Sequence, residues 1–204
     1  MKGNIKMKEQ IIISVGREFG SAGHIIAEEL ANRFGLLYYD NNLLQHIAQE
    51  NDLAHDILEK YDEKPKKRFF SRTVAGYSSS PEENIALMQF DYLKRMAEEG
   101  KSFVIVGRCA ETKLKEYPAL ISIFILGDYE YKLRRVMDIY EVSKEEAKQI
   151  LQRGDWKRKS YHNYYCKGKW GDSRNYDISV NSSKLGIEKT TDLLENYIKE
   201  RINK

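Results

Sequence analysis

Three stretches of the chain are apolar with almost no alternation: QIIISV at 10–15, SFVIVG at 102–107 and LISIFIL at 120–126. A strand with one wet face alternates apolar and polar residues, whereas a continuous run rich in Ile and Val has both faces covered. Sheets covered on both faces are parallel, because the crossover connections between parallel strands lay helices over them. LLYYD at 36–40 and YDISVN at 176–181 add two further strands. Segments of helical period run between them. From Ile26 the apolar residues recur as Ile26, Ala27, Leu30, Ala31 and Phe34, and Gly35 is a C-terminal stop. NLLQHIAQEN has helical character, and EENIALMQFDYLKRMAEEG at 82–100 puts Ile85, Met88, Tyr92 and Met96 on one face before Gly100. Ser143 with Glu146 forms a capping-box pattern ahead of KEEAKQILQR, and a last helix carries Ile187, Leu194, Ile198 and Ile202. Alternation of strand and helix predicts an α/β fold, a parallel five-stranded sheet with helices on both faces. Residues 60–82 pass from charge to Gly and Ser, with prolines towards both ends, and read as a loop or mobile segment.

A chain of 204 residues buries one sizeable core, a single domain with an appended lid. A formal charge of +3 does not demand nucleic acid as a partner. It suits an anionic small molecule met by a local group of arginines. No apolar run reaches the roughly 20 residues that span a bilayer, and the N-terminal apolar run is too short for a signal-peptide core. No membrane is expected, and the expected compartment is the cytoplasm. Cys109 and Cys166 lie far apart, without CxxC or Cys/His spacing, and read as free thiols in a reducing compartment.

In parallel sheets ligands bind beyond the C-terminal ends of the strands. Four polar features fall there: residues 16–24, Asp40, Gly107 with Arg108, and the stretch after 126. In IIISVGREFGSAGHIIAEELANRFG, at 11–35, Gly16, Gly20, Ser21, Ala22 and Gly23 are small enough for backbone to approach a ligand. The helix that follows offers unpaired amides and the positive end of its dipole, which favours a phosphate. Arg17 and His24 can add charge. The GxxxxGK[ST] loop is not met: with Gly23 as its last glycine, His24 stands at the lysine and Ile25 at the hydroxyl position. Ser21 is the nearest hydroxyl for a phosphate or its metal. A tight turn with small residues for packing fits the same stretch, and His24 fits equally as a solvent-facing helix start.

The blocks ISVGREFGSAGHIIAEELANRFGLLYYDNNLL, FVIVGRCA, YEYKLRRVM and GDWKRKSYHNYYCKGKWGDSRNYDISVNSSKLGIE occur in an order that resembles the cytidylate kinase-like family, relatives of the P-loop nucleoside-monophosphate kinases. The resemblance runs over nearly the whole chain and is weakest at 52–82. It implies a P-loop kinase-like core, a monophosphate-binding insert at 52–82 and a helical lid at 128–170. It implies transfer of the ATP γ-phosphate to CMP, dCMP or a related acceptor, with Mg2+. The alternative is a catalytically inactive nucleotide-binding regulatory protein. Two blocks depart from cytidylate kinases proper. EFGSAGHII lacks the loop's Lys and Ser/Thr, and VGRC keeps Gly107 and Arg108 but has Val106 and Cys109 where those enzymes have acids.

Within this frame Arg108 holds the acceptor phosphate by a two-pronged contact, or else makes a surface salt bridge. Asp40 holds a metal-bound water or orients the acceptor, or else caps the helix at NNLLQHIA. One of Arg134 and Arg135 faces the nucleotide and the other is solvated. Arg153, Asp155 and Arg158 close over the triphosphate, with Asp155 holding the arginines, or form a solvated helix face with aromatics beneath. DEKPKKRFFSR at 62–72 contacts the acceptor nucleotide or is a solvated charge run. The metal ligands stay open.

Overall fold

The computed structural model describes residues 10–51, 73–74, 77–78 and 80–203. The elements are β1 (Ile12–Arg17), α1 (Gly23–Phe34), β2 (Leu37–Tyr39), α2 (Leu43–Asn51), β3 (Thr73–Val74), β4 (Tyr77–Ser78) and α3 (Pro81–Glu98). There follow β5 (Phe103–Val106), α4 (Ala110–Lys113), β6 (Leu120–Leu126), α5 (Tyr129–Tyr140), α6 (Lys144–Tyr165), β7 (Ile178–Asn181) and α7 (Ser182–Ile202). Five strands form one parallel sheet in the order β2-β5-β1-β6-β7, and β3 pairs antiparallel with β4. The chain leaves the central β1 for the β2 edge, returns as β5, then crosses to β6 on the other flank. The fold is α/β, with the parallel five-stranded sheet that the sequence predicts.

The pleat explains the unbroken apolar runs. Ile12, Phe103, Ile105 and Leu120 face one side and pack with Leu43, Leu44 and Ile47 of α2 and Leu93 of α3. Ile13, Val15, Val104, Val106, Ile121, Ile123 and Ile125 face the other and pack with Ile26, Leu30, Leu194 and Ile198 of α1 and α7. Full burial of such a side chain contributes about 1.5–3 kcal/mol, so these two layers hold the sheet.

Several boundaries move from their sequence expectation. The helix expected from Ile26 begins at Gly23, because Ala22 takes the left-handed conformation (φ 63°) and starts it three residues early. The helix expected from 82 begins at Pro81, where Ser80 caps the Glu83 amide and proline occupies the first turn. The capping box at Ser143 forms as expected, but α6 runs on to Tyr165 through the aromatic and basic stretch. Most of 52–82, including 62–72, lies outside the described residues.

Candidate functional site

Two loops at the C-terminal ends of β1 and β5 frame the site. After β1 the chain turns through Glu18–Ala22 into α1. Ala22 offers no side-chain cap, and the first turn of α1 holds no acidic residue. The amides of Gly20, Ala22, Gly23, His24 and Ile25 find no acceptor among the described residues. They border a cleft of about 650 Å³, which Arg17, Asp40, Arg135, Lys157 and Arg158 also line. Four basic side chains therefore face two acidic ones, Glu18 and Asp40, across one opening.

The turn itself is held by neighbours. The Glu18 carboxylate accepts from the Gly127 amide at 3.1 Å and pairs with Lys132 Nζ at 2.8 Å. Asp155 accepts from the Phe19 amide at 2.6 Å and lies 3.7 Å from Lys132 Nζ. Burial pushes the Asp155 carboxyl up, against the opposing pull of the Phe19 amide and Lys132. The Phe19 ring lies against the backbone of α6 at Gly154, where any Cβ would collide with it. That contact is the reason for a glycine inside a helix, where it otherwise costs about 0.5–1 kcal/mol.

Arg17 leaves β1 and runs beneath the cleft. It is 8 % exposed, pairs with Asp40 at 3.4 Å, and crosses the face of Gly107. A Cβ at Gly23 would stand 2.5 Å from Arg17 Cβ, so two glycines clear its path. Its Nε has no hydrogen-bond partner among the described residues. Arg135 donates to the Gly20 carbonyl at 3.2 Å, and Arg158 to the Arg17 carbonyl at 3.3 Å while covering the Phe19 ring. These contacts hold both guanidinium groups at the turn.

The expected site residues divide. Arg17, Gly20, Ala22, Gly23, His24, Asp40, Arg135 and Arg158 line the cleft together. Ser21 does not: it is fully buried, and its hydroxyl donates to the Glu18 carbonyl at 2.8 Å, so it closes the turn and faces no ligand. His24 stands exposed at the rim, and burial of its ring with Arg17, Arg135 and Arg158 nearby lowers its pKa despite Asp40. At the cleft rim its ring therefore favours the neutral form, and its exposure matches the solvent-facing helix start. Asp40 turns its carboxylate to Arg17, and Asn42 accepts from the Asp40 amide, so no capping of α2 by the Asp40 side chain is seen.

Arg134 is exposed and off the cleft wall. Arg153 is also off it, bonded to Gln149 one helical turn back. Asp155 holds the turn through Phe19 and does not itself line the cleft. Arg108 is buried and does not lie on the surface. Gly107, Arg108 and Cys109 all have positive φ, the chain reverses sharply, and Arg108 is 3 % exposed in a small void shared with Arg17, Arg158 and Trp170. Sequence reasoning missed Glu18, Phe19, Lys132 and Lys157. The signal within reach was Gly154, an isolated glycine in a helical pattern.

No helix among the described residues is long and apolar enough to cross a membrane. No protein of curated function matches the chain. Among solved structures it is similar to an uncharacterized protein from Eubacterium ventriosum ATCC 27560, at 39% identity and TM-score 0.74, covering 93% of this chain and 99% of that one. It is similar in fold to shikimate kinase from Bacteroides thetaiotaomicron, at 12% identity and TM-score 0.55, covering 93% and 98%. Shikimate kinase from Acinetobacter baumannii, in complex with shikimate, is similar at 14% identity and TM-score 0.54, covering 95% of each chain. The family profile described as the cytidylate kinase-like family matches residues 12–184. With that match over most of its length, and with the sheet order and the cleft at the end of β1, the chain belongs to the cytidylate kinase-like family.

Proposed function

We propose that the protein is an ATP-dependent phosphotransferase that uses CMP, dCMP or a related acceptor and works with a modified phosphate loop. One observation carries this reading: the open amides at the start of α1 share a cleft with Arg17, Arg135, Lys157 and Arg158. Phosphoryl transfer needs positioning and charge stabilisation more than a nucleophilic side chain. Amides and guanidinium groups supply both without the missing lysine.

The donor set fits a triphosphate. The amides of Gly20 and Ala22–Ile25 take phosphate oxygens, and Arg135 and Arg158 take the charge that develops on the transferring group. Mg2+ keeps several waters and needs one or two carboxylates besides the phosphates, a demand Asp40 fits. Bound there, the ion would neutralise phosphate charge. Ser21 contributes no ligand, because its hydroxyl is bonded to the Glu18 carbonyl. Alternatively Asp40, paired with Arg17, orients the acceptor from the β2 side. Helices α5 and α6 act as the lid, carrying Arg135, Lys157 and Arg158 over the cleft and excluding water. Asp155 and Lys132 hold the turn to that lid.

The test is an assay of ADP release with ATP and Mg2+ against a panel of nucleoside monophosphates, run on the native chain and on Arg158→Ala. The proposal expects turnover on a pyrimidine monophosphate that the variant loses. No transfer to any monophosphate or small alcohol contradicts it. The buried Ser21 hydroxyl, with no lysine at 24 and no hydroxyl at 25, favours a second reading, a nucleotide-binding regulatory protein without catalysis. Tight ATP binding with no turnover would support it. Binding that falls steeply with salt and spreads over many nucleic-acid sequences would instead mark a nucleic-acid module.

A further inference from the structure

Behind the phosphate cleft the reversed chain after β5 meets the end of α6. Glu111, His162 and Cys166 each offer one ligand atom there, and the three atoms lie within 4.8 Å of one another. Cys109 packs in the same buried cluster as Cys166. All four residues are buried, at 3 % exposure for Cys109, 5 % for Glu111, 5 % for His162 and 9 % for Cys166. The ligands come from two chain segments, Glu111 from α4 and His162 with Cys166 from the end of α6, the arrangement by which two segments clamp one ion.

The geometry points to a structural divalent-metal site of the zinc class, held by Glu111, His162 and Cys166, with the neighbouring Cys109 thiol or a water to complete four-coordination. Zn2+ takes Cys sulfur, His nitrogen and carboxylate oxygen in four-coordinate structural sites. The outer shell has the required form. A ligating histidine presents one ring nitrogen to the metal and gives its other N–H to a carbonyl or carboxylate. His162 turns Nε2 to the cluster, 2.8 Å from Glu111 Oε1, and sets Nδ1 3.4 Å from the amide oxygen of Asn163. That oxygen is itself fixed by the Trp170 amide at 2.8 Å. Cys109 is in the left-handed conformation (φ 56°), as is Arg108 beside it (φ 58°). On binding, the Cys166 thiol forms a metal–sulfur bond and releases its proton to solvent. The ion would tie the Arg108 turn to the C-terminal end of α6.

Metal uptake by the full chain, purified under reducing conditions, tests this. One equivalent of Zn2+ per chain should survive desalting. Co2+ should give thiolate-to-metal charge-transfer absorption, which Zn2+ then displaces. Cys166→Ser should lose most of that absorption, and Asn163→Ala, which removes no ligand, should weaken Zn2+ by about 10- to 100-fold. Reduced native protein that takes up no Co2+ with thiolate absorption overturns the proposal, as does Zn2+ affinity unchanged in Cys166→Ser. Glu111, His162 and Cys166 would then be a buried polar cluster alone.

Discussion

The loops after β1 and β5 begin side by side, with Val15 opposite Val106 in the parallel register. Both turn through left-handed residues into a helix: Ala22 into α1, and Gly107, Arg108 and Cys109 into α4. They then differ in where their polar groups go. The β1 loop leaves amides open to a cleft of about 650 Å³ rimmed by basic side chains. The β5 loop folds its polar side chains inward, and Arg108 and Glu111 are 3 % and 5 % exposed. On the proposed reading the first loop receives an external anion, whereas the second turns its side chains into the protein. Similar local backbone thus serves opposite ends, and the surroundings decide which. Arg17 joins the two, since it starts on β1, lines the cleft and lies across Gly107.

The largest expected effect sharpens the first half of this contrast. Arg158→Ala and Arg135→Ala should each lower kcat/KM for phosphoryl transfer by about 100-fold or more, roughly 3 kcal/mol. Their neighbours Arg153 and Arg134, off the cleft wall, should change it by less than about twofold on alanine substitution. Equal losses in both sets would break the assignment. Next in size is Gly107→Ala. It should destabilise the fold by about 1–3 kcal/mol, from positive φ and from collision with Arg17, visible as a lower melting temperature. Gly35→Ala, also at positive φ (64°) but with open space around it, should cost only about 1 kcal/mol. If Gly107→Ala costs no more than Gly35→Ala, Arg17 does not depend on that glycine.

Asp155→Ala should cost about 1–2 kcal/mol, because it orphans the Phe19 amide and loosens Lys132. The smallest effect concerns His24. Its folded pKa lies below the ordinary 6.5, so the unfolded chain binds the proton more readily. Native stability should therefore be whole above about pH 6.5 and fall slightly as pH drops through the window below it. His24→Gln should lose that slope, measured as melting temperature against pH. An identical slope in both proteins would mean that neither burial nor the arginines lower the His24 pKa.

The sheet was legible because each strand is a local apolar run whose character survives without tertiary knowledge. LISIFIL marks β6 at its observed bounds, Leu120–Leu126. Helix starts were less legible where a left-handed residue or a proline opens the helix, as at Ala22 and Pro81. The site was half legible. Small residues after β1 and the basic residues near 135 and 158 point to a cleft, but the member of each arginine pair that faces it depends on helix phase against a distant turn. Ser21 looked like a ligand because sequence does not show that Glu18 takes its hydroxyl. Cys109 and Cys166 looked isolated because the contact between α4 and the end of α6 is a tertiary fact, although the His162 to Cys166 spacing was there to be read.

The central claim is that the end of β1 is an anion site made of α1 amides and two lid arginines. The most direct measurement is the rise in melting temperature on adding ATP, for the native chain, for Arg135→Ala with Arg158→Ala, and for Arg134→Ala with Arg153→Ala. The account predicts a clear rise in the native chain and in the Arg134/Arg153 variant, and little or none in the Arg135/Arg158 variant. An undiminished rise in the Arg135/Arg158 variant would contradict it.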